Sequence, residues 1–492
     1  MTFARRSRSY TALIAGVALI LSVVLAYLVT ARASLGWLLV LGLACTWVGF
    51  TVPARYLLYL CVFALMGVPT WIEPYLGELP GGIIITWQEV LWSTLILSYG
   101  FHLIRGQLSL PRPAGVVLAF IVLVGDLLFG TVYGLRNGQV FSDIVLVVRP
   151  VIFYAFIFVV ASLVSRVGSV KLVRDILLLA FVGGLVGTLA SLAFWVPSES
   201  QGRFYTPLYS VSALLIPIAI QFGFVTHVDR RLSISSRMVL PVLIMNLVLS
   251  IHRSSWLITA LAVPLLLVIN GWWHPAASRR LFARFSSLIG NTLALAGAAV
   301  LLISVVLWLQ STLGLREWDV FVSTLVLRSE ETLAIQEVPS IVTRVDQNLV
   351  AWRAFSERPL LGGGLGLRLY FSESGKYAVK SDNMWLMLAA QLGLPGVFAL
   401  AGFCLSPLVS ALRARRLLEP AEDEESGGDV LLRSILVLIP VTVFMWAAMM
   451  ASSQNPFEKL PYIVIVAVFW GTVEGIRQHL ALCQVTASGS DT

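Results

Sequence analysis

Long apolar stretches recur throughout this chain, and their length decides what it can fold into. An α-helix rises about 1.5 Å per residue, so about 20 apolar residues cross a hydrocarbon core of about 30 Å. Such stretches fall near 11–30, 34–51, 56–72, 83–104, 114–133, 144–164, 172–196, 207–227, 238–252, 254–270, 288–310, 384–411, 431–451 and 460–476. Inside lipid every backbone N–H and C=O must be satisfied within the protein, which leaves helices as the reading for segments of this length. Composition agrees: of 492 residues 58% are hydrophobic and 12% charged, with a mean hydropathy of +0.88, far from soluble globular proteins. The expected fold is all-α, a polytopic transmembrane bundle of about 12–14 helices forming one domain over 1–492. The two short stretches flanking Arg253, about 15 residues each, are the weakest of the set.

Charge then orients the bundle. The formal net charge of +8 comes from basic clusters between apolar runs, which is a topology signal and gives no support to nucleic-acid binding. With the N-terminus in the cytoplasm, inner loops carry Arg55; Arg105 and Arg112; Arg166, Lys171 and Arg174; Arg230, Arg231 and Arg237; Arg279, Arg280 and Arg284; and Arg413, Arg415, Arg416 and Arg433. Both termini are therefore expected in the cytoplasm, with one large extracytoplasmic loop at 311–383 and a cytoplasmic acidic loop at 412–430 around Glu422–Glu425. The N-terminal apolar run follows Arg5, Arg6 and Arg8 but lacks a small-residue cleavage site, so it reads as an uncleaved first helix. Short amphipathic helices such as 346–356 are expected to lie on the outer membrane face.

Within the large loop, Pro359 to Gly366 reads PLLGGGLG, a turn whose glycines, Gly363 and Gly364 among them, can offer backbone N–H groups to an anion. Ser381-Asp382-Asn383 then places a carboxylate directly before an apolar helix, where Asp and Asn also serve as N-caps. Three arginines escape the topology rule: Arg149 inside an apolar run, Arg203 in a short outer loop, and Arg253 at a tight outer hairpin. Because an arginine within a membrane is costly, these three together with Asp382 are expected to converge on a site for an anionic, lipid-linked substrate. Each also has a structural reading. Arg149 is a candidate partner of Asp126, Arg203 a solvated loop residue, Arg253 an arginine reaching to head groups, and Asp382 a plain helix cap.

The four cysteines show no paired spacing, and there is no Walker loop, no GxGxxG after a strand and no HExxH. No metal, nucleotide or other cofactor is expected.

Four places resemble the O-antigen ligase and polymerase-like integral membrane glycosyltransferases, a family that includes the Wzy-type polysaccharide polymerases. Gly202-Arg203-Phe204-Tyr205-Thr206-Pro207 resembles the family's outer-loop arginine with its phenylalanine and proline turn. Arg253-Ser254-Ser255-Trp256-Leu257 is similar to its arginine, three residues, leucine pattern. Trp352 to Gly366 resembles the segment ending in a glycine-rich turn, and Asn383 to Gly396 the helix that follows. The likeness covers roughly residues 200–400. One departure stands out, since family ligases carry a histidine where this chain has Asp382. A carboxylate can act as a base there too, which tilts the expectation toward a polymerase.

The resemblance implies transfer of a glycan from undecaprenyl pyrophosphate to an acceptor sugar hydroxyl at the outer face of a bacterial inner membrane. In that scheme Arg203, Arg253 and Arg149 hold the pyrophosphate, with Arg253 also catalytic, and Asp382 orients or deprotonates the acceptor. Gly363, Gly364, Asn383 and Trp352 line the glycan side, and Trp318, Tyr370, Phe371 and Tyr377 offer stacking faces or belong to an interfacial belt. The implied partners are undecaprenyl-pyrophosphate-linked oligosaccharide, membrane lipid and other polysaccharide assembly proteins. The alternatives are ligase-type transfer to lipid A core or another acceptor, a lipid-linked sugar flippase, which calls for internal repeats not found here, and an inactive scaffold.

Overall fold

A computed structural model describes residues 33–67, 75–79, 83–167, 169–193, 209–225, 230–249, 253–273, 339–373, 375–418, 427–451 and 460–489. The expected spans at 11–30 and 288–310 lie outside these residues, as do Arg203 and Trp318. The described chain is predominantly helical. Six of its helices are long and apolar enough to cross a membrane: Gly115–Arg136, Phe141–Val164, Ser254–Trp272, Met384–Leu417, Leu431–Met450 and Leu460–Ala481.

The fold divides into two units, residues 1–61 with 73–107, and 62–72 with 108–492. In the first, α1 (Ala33–Thr51) packs on α3 (Trp87–Ile104), while α2 (Ala54–Gly67) begins here and ends in the second unit. Strands β1 (Tyr75–Leu79) and β2 (Ile83–Thr86) form an antiparallel hairpin ahead of α3. This corrects the expected helix at 83–104: Ile83-Ile84-Ile85 is β-branched throughout and pairs as a strand. Thr86 then starts the helix with a capping box, its side chain accepting from the Glu89 amide while Glu89 accepts from the Thr86 amide. Gly49 permits close packing of α1 on α3, since a Cβ there would stand 3.1 Å from the Thr94 carbonyl oxygen.

The second unit contains α4 (Gly115–Arg136), α5 (Phe141–Ile152), α6 (Phe156–Val167), α7 (Ser169–Ala193), α8 (Tyr209–Ile220), α9 (Arg230–Leu249), α10 (Arg253–Trp273), α11 (Pro339–Glu357), strands β3 (Leu369–Phe371) and β4 (Lys376–Ala378), then α12 (Met384–Leu418), α13 (Gly427–Met450) and α14 (Leu460–Gly489). Three departures from expectation have local causes. The run at 144–164 is helical but passes through a 3₁₀ turn at Phe153–Ala155, just after Pro150 removes a backbone donor. Helix α8 passes into a π-turn at Gln221–Val225, where Arg237 and Ser233 both donate to the Gly223 carbonyl. The helices beside Arg253 are 20 and 21 residues long, longer than the stretches of about 15 residues expected there.

The packing of this unit follows membrane rules, with small residues at close crossings and polar side chains paired across helices. Gly471 and Gly475 let α14 approach α6, where a Cβ on either would stand 2.8 Å from a backbone carbonyl oxygen. Gln221 and Asn270 exchange amide hydrogen bonds of 3.2 and 2.8 Å, and Asn246 donates to Ser212 at 2.8 Å. Tyr154, Phe403, Trp446 and Trp470 form a buried aromatic cluster, in which the Trp446 indole N–H donates to the Tyr154 hydroxyl at 2.6 Å.

A second polar cluster joins α4, α12 and α14. Glu474, fully buried, accepts from the Ser410 hydroxyl (2.8 Å), the Gln478 amide (2.8 Å), the Val116 backbone N–H (3.3 Å) and the Arg477 guanidinium. Four donors surround this carboxylate, which ties the start of α4 to α12 and α14.

Candidate functional site

At the other end of α4, about 28 Å away by helical rise, the segment 358–383 is folded between α4, α11 and α12. Its glycine run does not face solvent. The N–H groups of Gly363 and Gly364 donate to the carbonyls of Ala390 and Gln391 on α12, each at 2.9 Å, and Leu365 N–H donates to Gly130 of α4 at 3.1 Å. Gly362 N–H is taken by Arg358 and Leu367 N–H by Gly364. The anion-binding expectation for Gly363 and Gly364 is thereby corrected: their donors are already satisfied by the protein, and the run is a wedge that locks two helices. Glycine is required here because Gly362 and Gly364 have φ of 63° and 87°, and a Cβ on Gly364 would come within 2.5 Å of the Gly134 Cα. On α4 the receiving surface is Gly130 and Gly134, a G-x-x-x-G pair that accepts a loop backbone instead of a second helix. Gly393, at φ 69°, kinks α12 at the same level.

Beyond the wedge the chain is tied to its neighbours by charge. Arg368 makes a bidentate pair with Asp143 at the start of α5. The β3–β4 hairpin buries Leu369 and Phe371 beneath it, and its turn is held by Asp346 of α11, which accepts from the Ser372 hydroxyl at 2.8 Å and the Glu373 amide at 3.2 Å. That leaves Tyr370 and Tyr377, directly opposite in register, exposed on the outer side with ring centroids 5.0 Å apart. Phe371 is removed as a stacking face because it lies in the core.

Asp382 follows this hairpin. Its carboxylate accepts from Arg344 of α11 at 2.9 Å, and both side chains keep roughly two-fifths of their surface open, 40% and 43%. Gln347, one turn along α11, accepts the Asp382 backbone N–H at 3.0 Å. The cap of α12 is Asn383, whose side-chain oxygen accepts from Leu386 N–H at 3.3 Å. The capping reading therefore passes from Asp382 to Asn383, and Asp382 stands just outside the helix N-terminus, where the helix dipole favours a carboxylate. Underneath, the Gln391 amide donates to the Val379 carbonyl at 2.9 Å, while its own oxygen is buried without a hydrogen-bond partner.

The other expected residues are resolved unevenly. Arg253 is the first residue of α10, with its side chain outside the described residues. Arg149 is half-buried in the last turn of α5. Among the described residues no ion pair joins Arg149 to Asp126, whose Oδ2 is buried without a hydrogen-bond partner. Trp352 is exposed on α11. No cluster of three or more His, Cys, Asp or Glu side chains among the described residues is arranged to hold a metal.

Sequence reasoning missed Arg344, Gln347 and Asp346. Arg344 and Gln347, three residues apart on one face of an amphipathic helix, were the available signal. It also passed over Gly130-x-x-x-Gly134, which is a readable close-approach motif in an apolar helix.

Neither a scan against models of known protein families nor a search of curated proteins finds a match to this chain. Fold and composition define a class, a helical protein with six helices among the described residues long and apolar enough to span a membrane. Any narrower reading rests on the site itself.

Proposed function

We propose that this chain polymerises lipid-linked polysaccharide repeat units, transferring a glycan from undecaprenyl pyrophosphate to an acceptor sugar hydroxyl at the outer face of the bacterial inner membrane. The observation that carries the reading is the half-open Asp382–Arg344 pair at the N-terminus of α12, held by α11 and a rigid wedge. Such a site presents both an acceptor for a hydroxyl proton and a cation for a phosphate, on backbone that does not move freely.

In this reaction the acceptor oxygen forms a bond to the anomeric carbon of the donor. The bond from that carbon to the pyrophosphate oxygen breaks, and its electron pair leaves with undecaprenyl pyrophosphate. The hydroxyl proton passes to the Asp382 carboxylate, which Arg344 orients beforehand. Arg203, Arg253 and Arg149 offset the charge that develops on the pyrophosphate. Tyr370 and Tyr377 present aromatic faces to sugar rings. Both termini lie in the cytoplasm and the site faces outward.

The test is a reconstituted one. Purified protein in vesicles is given an undecaprenyl-pyrophosphate-linked repeat unit, and released undecaprenyl pyrophosphate is counted against new glycosidic bonds. Equal counts, with growth of the glycan on a second repeat unit, support a polymerase. Growth only when lipid A core is supplied indicates ligation, and no release at all refutes glycosyl transfer.

A further inference from the structure

Helix α11 carries two opposed faces, and among the described residues one of them holds Asp382. Arg344, Gln347 and the fully buried Ala351 fall on one side, where the first two hold Asp382. On the other, Val342, Val345, Leu349 and Trp352 recur at intervals of three and four residues and form a single stripe. They are exposed by 45%, 51%, 61% and 54%. Four aligned apolar side chains at that exposure are not the scattered single residues of an ordinary surface.

The stripe does not end with the helix. Leu360 and Leu361 follow, 70% and 43% exposed, immediately before the glycine wedge that seats the chain on Gly130 and Gly134 of α4. Around those glycines α4 exposes Leu128, Phe129, Val132 and Leu135, and α4 is one of the helices long and apolar enough to cross a membrane. Exposed apolar surface thus continues from a spanning helix, through Leu360 and Leu361, onto α11. Exposed Arg353 beside Trp352, and exposed Arg358 past the helix end, set guanidinium groups at its edge, where lipid phosphates lie.

We infer that α11 is a membrane-surface helix, with the Val342, Val345, Leu349 and Trp352 stripe set into the boundary between head groups and acyl chains. A helix with one apolar face, aromatic anchoring and basic flanks lies in the interface plane, its apolar face buried about 5–10 Å. The Arg344–Asp382 pair, on the opposite side of that helix, then sits at head-group level. A phosphate carried on a lipid reaches that level without leaving the bilayer. The inference needs the chain to reside in a membrane but does not need the glycosyl-transfer reading, so the two can fail separately.

The experiment uses the full chain with its four cysteines replaced by alanine. A single cysteine is placed in turn at 342, 345, 349, 352 and, as an aqueous reference, at exposed position 373 of the hairpin turn. Each is labelled with a nitroxide and reconstituted in vesicles of phosphatidylethanolamine and phosphatidylglycerol. Collision with oxygen, which partitions into lipid, is compared with collision with a water-soluble nickel chelate. Expected is oxygen dominance at 342, 345, 349 and 352, with chelate dominance at 373. Chelate dominance at all five positions overturns the inference in favour of a solvated face. Protection from both reagents along the stripe overturns it in favour of a protein contact, either a second copy or another segment of this chain. Retained thermal midpoints across the labelled set exclude misfolding as the source of either result.

Discussion

Two glycines in α4 differ in their surroundings, and the difference predicts opposite outcomes for one substitution. Gly125 has nothing within 4 Å of where a Cβ would stand. At Gly134 a Cβ would overlap the Leu365 carbonyl oxygen and lie 3.0 Å from the Leu365 nitrogen, and these are backbone atoms that cannot swing aside. In an open helix interior Gly→Ala is favourable by about 0.5–1 kcal/mol, so Gly125→Ala should be neutral or stabilising. Gly134→Ala gains the same propensity but must displace the wedge, at about 1–3 kcal/mol for overpacking. A further ~1 kcal/mol is lost if the Leu365 to Gly130 hydrogen bond lengthens with it. The two variants should therefore differ by roughly 2–4 kcal/mol, separating their thermal midpoints by about 2–4 °C in a chain of 492 residues. Cys61 and Cys404 are buried, so a thiol-reactive dye in detergent reports unfolding directly. Equal midpoints for Gly125→Ala and Gly134→Ala would refute the close approach of the glycine loop to α4, and with it the rigid support ascribed to Asp382.

Three further substitutions test the packing of the second unit by the same dye assay. Glu474→Gln removes the charge facing Arg477 inside a buried cluster and should destabilise by about 3–5 kcal/mol, whereas Asp175→Asn, in the partly exposed pair with Arg174, should change stability by about 0–1 kcal/mol. Trp446→Phe leaves the buried Tyr154 hydroxyl without the indole donor and should destabilise by about 1–3 kcal/mol; an unchanged midpoint would deny that bond a role in the aromatic core.

Much of the helical architecture is legible in the sequence because lipid demands long uninterrupted apolar runs, which survive any detail of packing. What escapes are features that depend on partners far away in sequence. Ile83 to Thr86 has the same apolar character as the helix after it, and only pairing with Tyr75–Leu79 makes it a strand. The helices around Arg253 look too short because α9 begins among polar residues at Arg230, which hydropathy discounts. Asp382 stands out from its place before an apolar helix, yet the cap there is Asn383, one residue on. Its pairing with Arg344 joins residues 38 positions apart and leaves no local trace. The glycines of 362–366 are conspicuous for their freedom to present N–H groups. Whether those groups meet an anion or a neighbouring carbonyl depends on the surrounding fold, and here the carbonyls of Arg358, Ala390 and Gln391 take those of Gly362, Gly363 and Gly364.

The most direct test of the proposed chemistry is the length distribution of lipid-linked glycans in cells carrying the wild type, Asp382→Asn, Arg344→Ala or Arg253→Ala at matched protein levels. The account predicts long chains with the wild type. It predicts single repeat units facing outward with Asp382→Asn and Arg253→Ala, and shortened chains with Arg344→Ala, where the carboxylate is still present but no longer oriented. Unchanged chain lengths throughout, with single units accumulating on the cytoplasmic face when the protein is removed, would contradict it and mark the chain as a carrier of lipid-linked sugars.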